Sequence, residues 1–360
     1  MGRGQASERP MSLRNADGVV SFYDTSTLPT KAMLDAMVSA QLGDDVYHED
    51  PTVVELEQRA AALMGKEDAI FMPSGTMANL VAIMAHCEPG DEVIVEADSH
   101  VFYYESGGLS AVAGTVPLPI AAERGVLTRE LVEPRLRPND VHYPRTRLVC
   151  TENTHNRAGG TIVDVATMER LHALCEERVL AIHIDGARIF NAAVALGVPV
   201  RQLARYGNSV TFCLSKGLGA PAGSMLSGSS EFVAAARRHR KMLGGAMRQA
   251  GVLAAAGLVA LDSGIDRLAE DHRRAKVLAH RLAELGDVSV DPDAIETNIV
   301  VAHVDPARLP ASRLVAELRA AGIKAADRPP DAVRFVTHGQ IGDDDVDYLV
   351  ETMRLILART

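Results

Sequence analysis

The chain has 360 residues, 47% of them hydrophobic, with 37 Lys plus Arg against 47 Asp plus Glu and a formal net charge of −10. That length exceeds what one hydrophobic core usually serves, so a large domain with a smaller companion is expected. Basic residues are scattered rather than striped, which argues against a nucleic-acid partner, and no apolar run reaches the roughly 20 residues that span a bilayer.

Residues 1–13 are polar and rich in Gly, Ser and Arg, without the apolar centre of a signal peptide. A flexible tail and a soluble, cytoplasmic protein are expected. Asp50-Pro51 then supplies a cap and a first-turn proline for the helix TVVELEQRAAALM, which Gly65 closes. Short β-branched runs alternate with alanine-rich amphipathic segments from there on, the pattern of a mainly parallel sheet covered by helices in an α/β fold. Strands are predicted at 69–72, 92–97, 114–119, 147–152, 180–185 and 209–215, all within a large domain over 14–264. MRQAGVLAAAGLVAL, near its end, is small and apolar enough to be packed on most sides. Residues 265–360 read helix, strand, helix, strand, helix, a smaller C-terminal α/β domain. Cys87, Cys150, Cys175 and Cys213 form no CxxC pair, so buried free thiols are expected rather than disulfides or a metal site.

Four loops draw attention. In FMPSGTMANL a strand passes through Ser74-Gly75-Thr76 into a helix, where free N–H groups, a hydroxyl and a glycine make a phosphate cradle. The same residues also fit an ordinary N-cap turn. His100, just past a strand, is either a polar loop residue or a flat ring able to stack on a planar cofactor. Asp185 ends an apolar strand before Gly186-Ala187-Arg188, and a carboxylate there is costly unless a cation meets it or its own turn caps it. In SVTFCLSKGLGAPAGS a strand hands Lys216 into a run of small residues. An aldehyde for a lysine, a ring nitrogen for a carboxylate and a phosphate for a helix start are the demands of pyridoxal phosphate.

GDDVYHEDPTVVELE, PSGTMANLVAIMAHC, ENTHNRAGG, HIDGARIFNAA, LSKGLGAPAGS and GGAMRQAGVLAAAG together resemble the threonine aldolase family, pyridoxal-phosphate enzymes of fold type I. The resemblance runs from about Asp24 to the C-terminus. It implies Lys216 as the Schiff-base lysine, Asp185 as the partner of the ring nitrogen and His100 as the stacking histidine. Gly75 and Thr76 would hold the phosphate, with Arg248 and Lys241 reaching the phosphate of a neighbouring subunit in a homotetramer whose active sites lie at subunit interfaces. Arg188 and Arg334 would clamp the substrate carboxylate, and His142 falls where the family has a second active-site histidine. The implied reaction cleaves a β-hydroxy-α-amino acid to glycine and an aldehyde, with His100, or a water held by His100 and His142, as the base. β-Elimination or transamination on the same cofactor is the alternative within enzymes. A non-catalytic binding protein is disfavoured, because binding alone does not require the lysine. Two departures from the family pattern stand out: Tyr23 replaces a serine in YDTST, and His48 replaces a glycine after Val46-Tyr47. With Tyr47, these are expected at the substrate end.

Overall fold

The computed structural model describes residues 19–359. The expected tail at 1–13 lies outside them. Thirteen strands are described: β1 Val20–Ser21, β2 Asp68–Met72, β3 Glu92–Glu96, β4 Val116–Ile120, β5 Thr146–Glu152, β6 Ala181–Asp185, β7 Ser209–Cys213, β8 Ser224–Gly228, β9 Val288–Ser289, β10 Ile299–Val304, β11 Ile323–Lys324, β12 Ala326–Arg328 and β13 Ala332–Val336. Of the helices, α1 Lys31–Ser39 and α2 Pro51–Met64 precede the main sheet, and α3 Gly75–His86 opens at the site.

The main sheet has seven strands in the order β2-β8-β7-β6-β5-β3-β4. The pairings among β7, β6, β5, β3 and β4 are parallel, and β8 runs antiparallel to both its neighbours. All five residues of β3, β7 and β8 are buried, as strands covered by helices on both faces must be. The six predicted strands are present, and β8 was not anticipated. Its sequence, SMLSG, has no β-branched residue; it pairs because the loop after β7 turns back through Gly219 (φ +85°) and Gly223 (φ +102°). At Gly223 a Cβ would come within 2.4 Å of the Phe71 ring, so a side chain is excluded there on both counts.

Asp50 caps α2 by accepting from Thr52 N and Val53 N, and it also accepts from Gly251 N at 2.9 Å. The cap therefore ties α2 to the buried helix Gly251–Ser263, where a Cβ on Gly251 would meet the Asp50 carboxylate.

A smaller antiparallel sheet, β12-β13-β10-β9, carries the C-terminal part. Chain order and packing part company at the start of the chain, because β1 pairs with β11, and Val20 and Phe22 are buried in the core of the C-terminal part. No helix among the described residues is long and apolar enough to cross a membrane. The four cysteines are free, three of them buried.

Candidate active site

The carboxyl ends of β3, β5, β6 and β7 lie along one edge of the main sheet, where loops of an open α/β sheet converge. Lys216 follows β7 there. Its carbonyl accepts from Gly219 N at 2.8 Å and from Thr27 Oγ1 at 3.1 Å, which fixes the backbone that carries the amine. A cavity of about 360 Å³ opens beside it, lined by His100, Tyr104, Asn156, Arg188, Lys216, Arg328 and Arg334 among others.

The deep end of the site is acidic. Asp185, the last residue of β6, is buried and accepts from Asn79 Nδ2 at 2.8 Å and from Ala187 N at 3.1 Å. Asn79 Nδ2 also donates to Glu105 at 2.8 Å, and Glu105 takes His100 Nδ1 at 2.8 Å. Ligand atoms of His100, Glu105 and Asp185 lie within 4.8 Å of one another. Burial pushes the Glu105 carboxyl up, as does Asp185, against the bonds from His100 and Asn79. Burial disfavours His100 protonation, but Glu105 and Asp185 outweigh it and raise the imidazole above its ordinary value.

Behind this cluster runs a chain of polar groups. With both Asn79 amide hydrogens committed to carboxylates, Asn79 Oδ1 can only accept, so His183 Nε2, 3.1 Å away, carries the proton. Burial keeps His183 neutral, with a pKa of about 4, so its Nδ1 accepts from Ser209 Oγ at 2.9 Å; Ser209 in turn accepts from His86 Nε2 at 2.8 Å. Along this relay each donor points toward Asp185, which holds its carboxylate oriented.

The outer end is basic. Arg188 donates to Asp24 through Nε at 2.6 Å and a terminal nitrogen at 2.7 Å, and both partners are buried. Burial opposes ionisation of Asp24, yet Arg188 takes its pKa to about 2. Arg334 donates to Asn156 Oδ1, while its Nε is buried without a partner. Tyr23 is half-buried beside Arg334; burial pushes its hydroxyl up and that guanidinium pulls it down.

Lys216, His100, Arg188 and Arg334 therefore line one space, with Asp185 behind His100, although Arg188 enters it already bound to a carboxylate. Gly75 and Thr76 open α3, where Ser74 Oγ accepts from Met77 N, and helical geometry leaves the first N–H groups without partners in the helix. A Cβ on Gly75 would lie 2.9 Å from Cys213 Sγ, which requires glycine at this approach of α3 to β7.

Other expected residues lie elsewhere in this chain. His142 precedes β5 at the opposite edge of the sheet, 81% exposed and bonded to Asp140 at 2.6 Å, so it cannot hold a water with His100 of the same chain. The length of β5 separates the two. Tyr47 is exposed, and His48 sits 3.8 Å from Glu57 with half its side chain in water, away from the cavity. His48 has φ +61°, the left-handed conformation for which a glycine would be the ordinary choice. Lys241 is exposed and Arg248 pairs with Asp44 at 2.7 Å, both outside the cavity beside Lys216.

Residues 23–305 match the beta-eliminating lyase family model. The low-specificity L-threonine aldolase of Escherichia coli K12 is 43% identical over 93% of this chain and 98% of its own length. Low-specificity L-threonine aldolase 1 of Arabidopsis thaliana is 44% identical over 90% and 92%. The chain belongs to the threonine aldolase family. Among solved structures, the threonine aldolase of Leishmania major superposes with a TM-score of 0.80 at 22% identity, covering 94% of this chain and 99% of that one. Sphingomonas wittichii serine palmitoyltransferase gives 0.73 at 18%, covering 95% and 86%. At these identities the last two speak to the fold, which is fold type I.

For a threonine aldolase, pyridoxal phosphate is the implied cofactor, and the residues present fit it. Asp185 is a buried carboxylate that no Lys, Arg or His side chain meets within ion-pair distance among the described residues, so a protonated ring nitrogen would supply its missing partner. The start of α3 offers N–H groups to a phosphate, and His100 faces the space between. Asp24, Asn79, Glu105, Asn156 and Arg328 were missed by sequence reasoning. Asn79 is one helical turn past the Ser74-Gly75-Thr76 cradle, and that offset was the one available signal.

Proposed function

We propose that this chain is a pyridoxal-phosphate-dependent aldolase that cleaves threonine-type β-hydroxy-α-amino acids to glycine and an aldehyde. The observation that carries the reading is the placement of Lys216 near Asp185, a buried carboxylate that no cationic side chain meets within ion-pair distance among the described residues, and beside Arg334, a guanidinium whose Nε has no partner. When bound, the cofactor offers an aldehyde to an amino group and a protonated ring that accepts the electrons released as Cα–Cβ breaks.

The protein's residues do the rest. Lys216 would hold the cofactor and, after displacement by the substrate amine, its amine is free to move protons at Cα. Asp185 would pair with the protonated ring nitrogen, and the donors behind it hold its carboxylate in place. Arg334, with its unsatisfied Nε, binds the α-carboxylate, and Asp24 holds Arg188 in place beside it. His100 has Nδ1 on Glu105, leaving Nε2 to take the β-hydroxyl proton.

Two expected results follow. Because Glu105 helps raise His100, Glu105→Gln lowers the pH at which the base loses its proton; the acidic limb of the kcat/KM profile moves to lower pH, and an unmoved limb would remove His100 as the base. Arg334→Ala raises KM about 10- to 100-fold through loss of a charge-assisted contact, and an unchanged KM would take Arg334 out of the site.

The reading extends to a cytoplasmic homotetramer in which Tyr47, His48, Lys241 and Arg248 serve a neighbour's site. Their exposure and their position outside this chain's own cavity support it, and His142 would act only in a neighbour's cavity. The test of function is product analysis with threonine, allo-threonine and phenylserine. Glycine and aldehyde in equal amounts support the aldolase, whereas ammonia and an oxo acid would support β-elimination instead.

A further inference from the structure

Arg328 takes no part in the reaction as set out above, yet its guanidinium lines the same cavity as Arg334. β12 and β13 are antiparallel, with Ala326 opposite Arg334 and Arg328 opposite Ala332. Directly opposed residues share a face of a sheet, so Arg334 lies on the face of Ala326 and, two residues on, of Arg328. Arg328 and Arg334 are therefore diagonal neighbours on one face, a separation long side chains bridge. Both converge on Asn156: Arg334 donates to its side-chain oxygen, and Arg328 donates to its carbonyl at 2.9 Å. A further bond from Arg328 to the Arg157 carbonyl, at 2.5 Å, completes its anchoring.

Neither guanidinium has a carboxylate within ion-pair distance among the described residues, and the nearest candidates are accounted for. Asp24 is committed to Arg188. Asp98 is committed to Arg157. Asp327 lines the same cavity but is exposed to solvent and lies beyond ion-pair distance of both guanidinia. Burial first, and then Arg334, pull the Arg328 guanidinium down to about 10, and burial and Arg188 pull Arg334 down, as two crowded, half-buried cations do. One α-carboxylate satisfies one of the two. A second negative group is called for, and the carbonyl anchors still leave Arg328 three of its five N–H donors.

Resting on the aldolase reading, we infer that the site accepts β-hydroxy-α-amino acids with an acidic side chain, Arg334 taking the α-carboxylate and Arg328 the second one. The simplest such substrate is 3-hydroxyaspartate. Its β-hydroxyl loses a proton, the Cα–Cβ electron pair goes to Cα, which is then protonated, and the products are glycine and glyoxylate. No oxidant or reductant is required.

The test measures kcat/KM of the holoenzyme for both L-3-hydroxyaspartate diastereomers and for L-threonine, in the parent and in Arg328→Gln. The inference expects glyoxylate formation by the parent and a fall of at least about tenfold in the ratio of 3-hydroxyaspartate to threonine in the variant. Threonine cleavage without glyoxylate formation, or an equal loss on both substrates, overturns it. Failure on threonine as well would instead sink the aldolase reading. Independently of turnover and of the folding of Arg328→Gln, calorimetric titration of the parent with succinate and with propionate should show the dicarboxylate bound at least about tenfold more tightly, and Arg328→Lys should retain part of that preference. Equal affinities would contradict the inference.

Discussion

Lys216→Ala is expected to lower turnover of β-hydroxy amino acids on the order of 10³-fold or more, about 4 kcal/mol in the barrier. The lysine would have two tasks, anchoring the cofactor and moving protons at Cα, and alanine performs neither. The fold should survive, because the loop is held by its backbone: Thr27 Oγ1 and Gly219 N donate to the residue-216 carbonyl, and Arg267 donates to the Gly217 carbonyl at 2.5 Å. The check is steady-state turnover beside circular dichroism and the thermal midpoint. A folded variant within tenfold of the parent would place the reacting amine elsewhere.

Asp185→Asn should cost about 10²-fold or more in kcat while cofactor is retained. Its two oxygens each accept a bond, one from Ala187 N and one from Asn79 Nδ2. An asparagine offers one accepting oxygen, so whichever way the amide turns, one buried donor loses its partner, at about 1–3 kcal/mol. The greater loss is chemical. An amide cannot keep the ring nitrogen protonated, and the carbon–carbon bond then breaks without an electron sink. Near-parental kcat in a folded, cofactor-loaded Asp185→Asn would refute the pairing.

Much of this arrangement was legible in the sequence. Strand-to-loop transitions with chemistry at the boundary marked His100, Asp185 and Lys216, and the resemblance supplied their roles. Periodicity reports burial and says little about strands built from small residues, which is why β8 went unseen. The short β12, with Arg328 at its end, was missed for another reason: three residues are too few for a period of two to show. Asp24 was present in YDTST, but its commitment to Arg188 joins residues 164 positions apart, which no local pattern reveals. Asn79 was hidden in the same way, 106 positions from Asp185, whereas Glu105 lies only five residues past His100 and was passed over as a loop residue. His142 was carried over from a family position, and in this chain it precedes β5, at the end of the strand away from His100. His48 shows the reverse. The residue departs from glycine while the backbone keeps the left-handed conformation a glycine favours, outside the cavity of its own chain.

Borohydride reduction followed by peptide mapping tests the central claim most directly, because it asks which side chain holds the cofactor. The purified protein should absorb visible light, lose that band on reduction, and carry one pyridoxyl group per chain on the peptide containing Leu214-Ser215-Lys216-Gly217. A label on any other lysine, or a protein that takes up no pyridoxal phosphate, would contradict the account.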